Sequence, residues 1–452
     1  MRISVFGLGK LGLCTAACLA VTGHQVTGFD ANPQVLAALQ AGQNPIQETG
    51  LDELLIRARP NLKFSHDPKA IVRDTEISLI IVPTPSLPDG RFSTRSVEAV
   101  LGSIGPVLRH KNTFHVVAVV STVMPGSGDQ IFKPLLEGFS GKTCGRDFGL
   151  VYNPEFIALG SVIHNFLNPD LVLIGASDAR AGNLIRELYR SSCHSQAHIA
   201  VMSLINAEIT KLSLNCFVTM KISFANELAA LCEQVPGAEA DVITQALGAD
   251  SRIGGKGLKS GLGFGGPCFP RDNLAFQAFA QETGHEVRLA PQVVKVNQGI
   301  PERLARLLRR QVRADSPIAL LGLAYKPETP VVEESQAVIL AQALAKAGFK
   351  VQVHDPQALD QAREVLGDKV KYGATPHACV QDAAAVVLLT NWPQYARLDW
   401  PALATLAGPA PLLLDCWGTL RGKDVGSFRY RCLGMGPEAP QEEPLYEPAA
   451  NL

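Results

Sequence analysis

The chain opens on a short apolar run, Ile3–Phe6, followed at once by Gly7-Leu8-Gly9-Lys10-Leu11-Gly12, which places three glycines at GxGxxG spacing between a strand and a helix. Few folds accommodate that junction. The first glycine allows a tight turn, the second lets phosphates approach the backbone, and the third lets helix and strand pack closely. The helix N-terminus adds amide donors for an anion. Asp30 closes the following strand, within about 20 residues of the motif, where a carboxylate accepts ribose hydroxyls and repels a 2′-phosphate. A dinucleotide site on Gly7, Leu8, Gly9, Lys10, Leu11, Gly12 and Asp30 is therefore expected, with NAD favoured over NADP.

Further short runs continue the pattern: Gln25–Phe29, Ile77–Val82, Val116–Val120, Gly149–Val151 and Leu171–Ile174 alternate with helical stretches. Such alternation is the signature of a doubly wound parallel sheet. Val82-Pro83-Thr84-Pro85 and Ser121-Thr122 fall at carboxyl ends of these strands, where open α/β sheets bind ligands, and join the expected cofactor crevice. Residues 205–235 contain neither Gly nor Pro, which predicts a helix of about 45 Å that links domains or forms a subunit interface.

A second α/β unit starts near Pro317, with runs at Ile318–Leu321, Lys350–His354, Ala385–Leu389 and Leu412–Leu414. It has no GxGxxG after its first strand, so it should bind something other than a dinucleotide. The expected organisation is α/β: two Rossmann-like doubly wound domains joined by a long central helix and a helical dimerisation region. The boundaries are 1–198 for NAD binding, 199–300 for the central helical region with a cysteine loop, and 301–430 for the second Rossmann-like domain. The Pro- and Glu-rich tail, 431–452, is expected to be disordered.

Composition removes several classes. Lys+Arg 41 against Asp+Glu 42 leaves a net charge of -1, which gives no general attraction to nucleic acid or an anionic membrane. No apolar run approaches the ~18 residues of a membrane span. Ten cysteines are scattered without a CxxC pair, suggesting no metal site and no disulfide framework, and a cytoplasmic setting.

Cys268 stands apart from the other cysteines. It follows Gly261-Leu262-Gly263-Phe264-Gly265-Gly266-Pro267 and precedes Phe269-Pro270-Arg271-Asp272. The glycines are expected to leave amides free to wrap a ligand. A neighbouring cation favours the thiolate, and a carboxylate can move a proton. On the long helix Glu208, Lys211 and Asn215 share one face. Lys211 and Asn215 together could hold a developing oxyanion, or all three could be polar residues on a solvated face.

These segments, in order, resemble the UDP-glucose/GDP-mannose dehydrogenase family. The likeness rests on GLGKLG, PIQETGL from Pro45, VPTP from Val82, STV from Ser121, NPEF from Asn153, the Glu208–Asn215 helix segment, Arg252-Ile253-Gly254, GFGGPCFPRD from Gly263 and GLAYKP from Gly322. The resemblance implies NAD-dependent four-electron oxidation of a nucleotide sugar at C6 to the uronic acid, in a homodimer or higher homo-oligomer. It implies Cys268 as nucleophile, Lys211 and Asn215 as oxyanion-stabilising pair, Asp272 and Thr122 as water-handling residues and Glu155 as the carboxylate of thioester hydrolysis. It places Glu155, Phe156, Lys211, Asn215, Arg252, Lys259, Phe264, Gly265 and Lys326 at the substrate.

The chain departs from the family pattern at Leu159, Arg271, Glu333 and Trp417, the last of which could offer an aromatic surface for stacking. Two other readings stay open at this point: a two-electron dehydrogenase of the hydroxyacid kind, which has no need of Cys268, and a nucleotide-sugar-binding protein with weakened catalysis.

Overall fold

The computed structural model describes residues 1–157 and 159–438. They form two compact units, Met1–Leu214 with Leu274–Glu286, and Asn215–Asn273 with Val287 onward. The expected central region is thus shared out: two of the three unit boundaries fall inside helices, Leu204–Cys232 and Phe269–Glu282, and the third lies between Glu286 and Val287.

In the first unit the strands are β1 (Arg2–Phe6), β2 (Gln25–Phe29), β3 (Leu62–Phe64), β4 (Ile77–Ile80), β5 (His115–Val119), β6 (Phe148–Tyr152), β7 (Leu171–Ala176) and β8 (His198–Met202). Among the described residues they pair in the order β3-β2-β1-β4-β5-β6-β7-β8. Side chains alternate between two cores. Ile3, Val5, Leu79 and Val116 join one cluster, while Phe6, Ile80, Val117 and Tyr152 join the other. A sheet covered on both faces needs such continuous apolar runs.

One strand corrects the sequence reading. The Leu171–Ile174 run was expected in a parallel sheet, but β7 pairs antiparallel with β6, Val151 opposite Ala176. Among the described residues the only helix between them, Val162–Leu167, has six residues and rises about 9 Å. It is too short to carry the chain back across the sheet, so β7 enters from the end where β6 leaves.

In the second unit β9 (Pro317–Leu321), β10 (Lys350–His354), β11 (Lys371–Tyr372), β12 (Ala385–Leu388), β13 (Leu412–Asp415) and β14 (Arg429–Cys432) pair in the order β11-β10-β9-β12-β13-β14, all parallel. The two halves therefore share one plan. The expected disordered tail begins too early: β14 extends the sheet to Cys432, and beyond it the Gly434 amide donates to Glu233 Oε1 at 3.0 Å and the Gly436 amide to the Ala238 carbonyl at 2.8 Å. Residues 439–452 of that tail lie outside the described residues.

The long helix has 29 residues, Leu204–Cys232, about 44 Å. It ends before the expected Val235 because Pro236 disfavours helical backbone at the residue preceding it. No helix among the described residues is long and apolar enough to cross a membrane.

Candidate active site

The turn after β1 is built as its glycines require. Gly7 has φ +93, its amide donates to the Phe29 carbonyl at 2.8 Å, and a Cβ there would lie 2.2 Å from the Ile81 carbonyl oxygen. A Cβ on Gly12 would lie 1.9 Å from the Gly7 oxygen, whereas one on Gly9 meets nothing within 4 Å. The first and third glycines are fixed by the protein, and the second faces open space. The helix Lys10–Val21 has no side-chain cap, so its first amides remain available to an anion.

Asp30 accepts from the Leu8 amide at 2.7 Å with Oδ2 and from the Asn32 amide at 2.8 Å with Oδ1. Each carboxylate oxygen retains a second lone pair for a ribose hydroxyl. These residues fit NAD, which the Gly7–Gly12 turn and Asp30 would hold. The loops after β4 and β5 form the adjoining wall. Ser121 Oγ accepts from the Val82 amide at 3.0 Å and donates to the Val82 carbonyl at 2.7 Å, and Thr84 Oγ1 donates to the Thr122 carbonyl at 2.7 Å. Ser121 and Thr84 thus shape that wall, with Pro83 and Pro85 exposed on it.

Glu208, Lys211 and Asn215 do share a helix face, but it is buried, which removes the solvated-face reading. Glu208 accepts from the Gly126 and Gly128 amides at 2.6 and 2.8 Å, anchoring the loop beyond Thr122. Burial pushes its carboxyl up to about 7, against the pull of those two amides. Lys211 Nζ donates to the Glu155 carbonyl at 2.8 Å and lies 4.6 Å from the Phe156 ring centroid. Glu155 Oε1 accepts from the Tyr189 hydroxyl at 2.8 Å. Burial raises the Glu155 carboxyl to about 7, while that hydrogen bond and the Lys211 charge pull the other way. Lys211, Glu155 and Phe156 are thereby brought together, with Tyr189 as a partner that no sequence motif had marked. Glu48 of the PIQETGL segment accepts from the Gly160 and Val162 amides, both at 3.0 Å, and so fixes the loop leaving NPEF. Leu159 packs against the neighbouring core.

In the second unit Cys268 is exposed immediately before the Phe269–Glu282 helix. Its carbonyl accepts from the Asp272 amide at 2.9 Å, which sets it on the first helical turn. That position favours a thiolate, because the N-terminal end of a helix dipole stabilises negative charge. Asn215 Nδ2 donates to Asp272 Oδ2 at 2.6 Å, both side chains being buried, and Arg271 Nε lies 3.7 Å from Asp272 Oδ1. One turn along, Asn273 donates to Thr219 Oγ1 at 3.0 Å. These bonds dock the two helices at the thiol-bearing end.

In the glycine-rich loop three amides are taken up by the protein: those of Gly261, Phe264 and Gly266 donate to Asn226 Oδ1, Asn297 Oδ1 and the Glu333 carbonyl at 3.0, 2.8 and 3.0 Å. Its glycines also make room for protein. A Cβ on Gly263 would lie 2.1 Å from Asn297 Oδ1, and one on Gly265 would lie 2.3 Å from the Glu334 carbonyl oxygen. Sequence reasoning missed Asn226 and Asn297, which are isolated amides carrying no motif. Trp417, expected as a stacking surface, points its indole N–H at the Leu389 carbonyl at 2.7 Å and packs its ring on Gly261. Glu333 contributes its backbone carbonyl while its side chain is exposed.

Of the remaining substrate candidates, Gly265 lies against the GLAYKP loop, where a Cβ on it would come 3.4 Å from Tyr325 Cβ. Phe264 is buried edge-on to Phe269 with ring centroids 6.2 Å apart. Arg252 is exposed and paired with Asp250 at 2.6 Å, and Lys259 is exposed. Lys326 is half-buried in the loop after β9.

A βαβ unit with an open glycine turn and a ribose-accepting Asp defines a dinucleotide-binding protein of the oxidoreductase type. Comparisons with known proteins make the class specific. The NAD-binding, central and UDP-binding domain models of the UDP-glucose/GDP-mannose dehydrogenase family match residues 1–193, 205–299 and 319–422. The UDP-glucose 6-dehydrogenase AglM of Haloferax volcanii is 37% identical over 403 residues, 88% of this chain and 93% of that relative. The UDP-glucose 6-dehydrogenase of Rhizobium meliloti is 35% identical over 444 residues, 96% of this chain and 99% of that one. Among solved structures, a UDP-glucose dehydrogenase from Pyrobaculum islandicum matches with a TM-score of 0.83 at 36% identity, covering 96% of each chain. The chain belongs to the UDP-glucose/GDP-mannose dehydrogenase family of NAD-dependent nucleotide-sugar dehydrogenases.

Proposed function

We propose that the protein oxidises UDP-glucose at C6 to the uronic acid in two successive two-electron steps, with Cys268 holding the substrate covalently between them. The observation that carries this reading is the exposed Cys268 on a first helical turn whose buried Asp272 is bonded to Asn215. A hydroxyacid-type dehydrogenase has no need of such an arrangement. The UDP-glucose activity in the names of the relatives supports the substrate.

Bound at the Gly7–Gly12 turn and Asp30, NAD supplies hydride acceptance. The chain's own residues do the rest. The Cys268 thiolate attacks the C6 aldehyde carbon, and Lys211 and Asn215 stabilise the oxygen that becomes negative. After oxidation to the thioester, water adds to its carbonyl carbon and a water proton passes to the Glu155 carboxylate. Asp272 and Thr122 order that water. The C–S bond then breaks with its electron pair returning to sulfur. A thiol that must stay free suits a reducing compartment.

A second copy of the chain is the proposed partner. Phe217, Phe224 and Leu231 recur at seven-residue spacing on the long helix and are 59%, 51% and 61% exposed, a stripe suited to helix-on-helix association.

Counting NADH released per nucleotide sugar across a panel of UDP- and GDP-sugars tests the activity. Two per UDP-glucose is expected, with acid formation abolished in Cys268→Ser. One per sugar, undiminished in Cys268→Ser, would favour the two-electron dehydrogenase. Binding without NADH would favour the weakened enzyme. Sedimentation of Phe224→Glu tests the assembly, with a shift from dimer to monomer expected.

A further inference from the structure

Glu155 is held on three sides within the first unit. The residue two before it, Asn153, bonds through its amide N–H to the Val119 carbonyl and through Nδ2 to the Leu173 carbonyl, both at 2.9 Å. The Glu155 carbonyl receives Lys211 Nζ, and its Oε1 receives the Tyr189 hydroxyl at 2.8 Å. Tyr189 belongs to the Ala179–Ser192 helix, is 6% exposed, and lies beside the Phe166 ring with centroids 5.9 Å apart. Its hydroxyl therefore has little freedom to leave the carboxylate.

We propose that Tyr189 is the positioning residue for Glu155, fixing one carboxylate oxygen and keeping the group ionised so that it can take a proton from water. The inference rests on the role given above to Glu155. Burial and the Glu155 charge push the phenol well above its ordinary value, so Tyr189 remains a donor throughout the working pH range. The groups facing Glu155 are Lys211 from the long helix, Cys18 from the Lys10–Val21 helix, and Cys193 just after Tyr189's own helix. Lys211 reaches the backbone carbonyl of Glu155, and burial raises both thiols so that they stay neutral. Tyr189 donates directly to the side-chain carboxylate. A donated hydrogen bond favours the ionised form, so its loss raises the carboxyl further.

The test is Tyr189→Phe in the full chain, read in two ways. Infrared difference spectra against Glu155→Gln follow the carboxyl band without substrate. Its midpoint, about 7 in the parent, should move up by about one pH unit, the worth of one charge-assisted hydrogen bond. An unmoved midpoint overturns the proposal. In turnover the acid limb should move equally, giving about a five-fold loss at pH 7 that recovers at higher pH, with KM for NAD and sugar held. Adding Tyr189→Phe to Glu155→Gln should leave the pH profile unchanged. A loss uniform with pH would mark a merely structural role and also overturn it. If the band moves while the acid limb does not, Tyr189 keeps its positioning role and the assignment of Glu155 as base fails instead.

Discussion

The second sheet repeats the order of the first sheet's six parallel strands, and in both the amide of the glycine after the first strand donates to the last residue of the second, Gly7 to Phe29 and Gly322 to His354, each at 2.8 Å. Beyond that point they diverge. Behind Gly7 the turn opens at Gly9, and Asp30 accepts from two amides. Behind Gly322, Asp355 is buried and saturated: Oδ2 accepts from the Leu323 amide, the Ala324 amide and the Trp392 indole at 2.7, 3.0 and 3.2 Å, and Oδ1 from the Gln357 and Ala358 amides at 2.9 and 2.8 Å. Five donors leave no lone pair for a ribose. One topology thus yields a cofactor crevice where the second strand's carboxylate keeps acceptor capacity, and a structural knot where the protein has used all of it.

The paired carboxylates separate the two roles most strongly. Asp355→Asn sets an NH2 against buried donors and should cost about 3 kcal/mol or more, seen as a large fall in the urea midpoint of the second unit. Asp30→Asn should cost about 1 kcal/mol or less while raising the KM for NAD at least about ten-fold. Equal destabilisation by both would break the comparison.

Next come the glycines. Gly322 has φ +100 and a Cβ there would meet Thr390 at 2.5 Å, so Gly322→Ala should destabilise by about 2–3 kcal/mol. Gly9→Ala meets open space and should leave the unfolding midpoint within about 0.5 kcal/mol of the parent, while weakening NAD binding measured by fluorescence quenching.

A smaller difference concerns acid. His115 in β5 is buried, bonded to Ser78 Oγ at 2.8 Å and the Thr75 carbonyl at 3.1 Å, and burial lowers it to about 3. The unfolded chain takes up a proton near 6.5 that the folded imidazole refuses. The stability His115 contributes is therefore whole above that pH and lost as pH falls towards 3, by up to about 1.4 kcal/mol per pH unit. In the first unit His115→Asn should flatten the pH dependence of the urea midpoint between 6.5 and 5; an unchanged slope would contradict this.

Much of the architecture was legible because central strands must be apolar on both faces. β1, β5 and β13 fall within one residue of apolar runs visible in the sequence, and β2 and β10 match their expected ranges. The edge strands were not legible: β11 is two residues, and β14, Arg-Tyr-Arg-Cys, buries only its last side chain. Backbone pairing defines these strands, and composition does not record it. The site divides similarly. Motifs marked Cys268, Lys211, Glu155 and Asp272, but Lys211 meets Glu155 from 56 residues away and Asn215 meets Asp272 from 57. Tyr189, Glu208, Asn226 and Asn297 act through contacts that only folding creates.

The most direct measurement is calorimetric titration of NAD into the full chain, counting sites. One equivalent per chain, with affinity sharply reduced in Gly9→Val and retained in a folded variant of the second crevice such as Thr390→Ser, is the expected result. Two equivalents per chain, or a single site indifferent to Gly9→Val, would contradict the division of labour between the sheets.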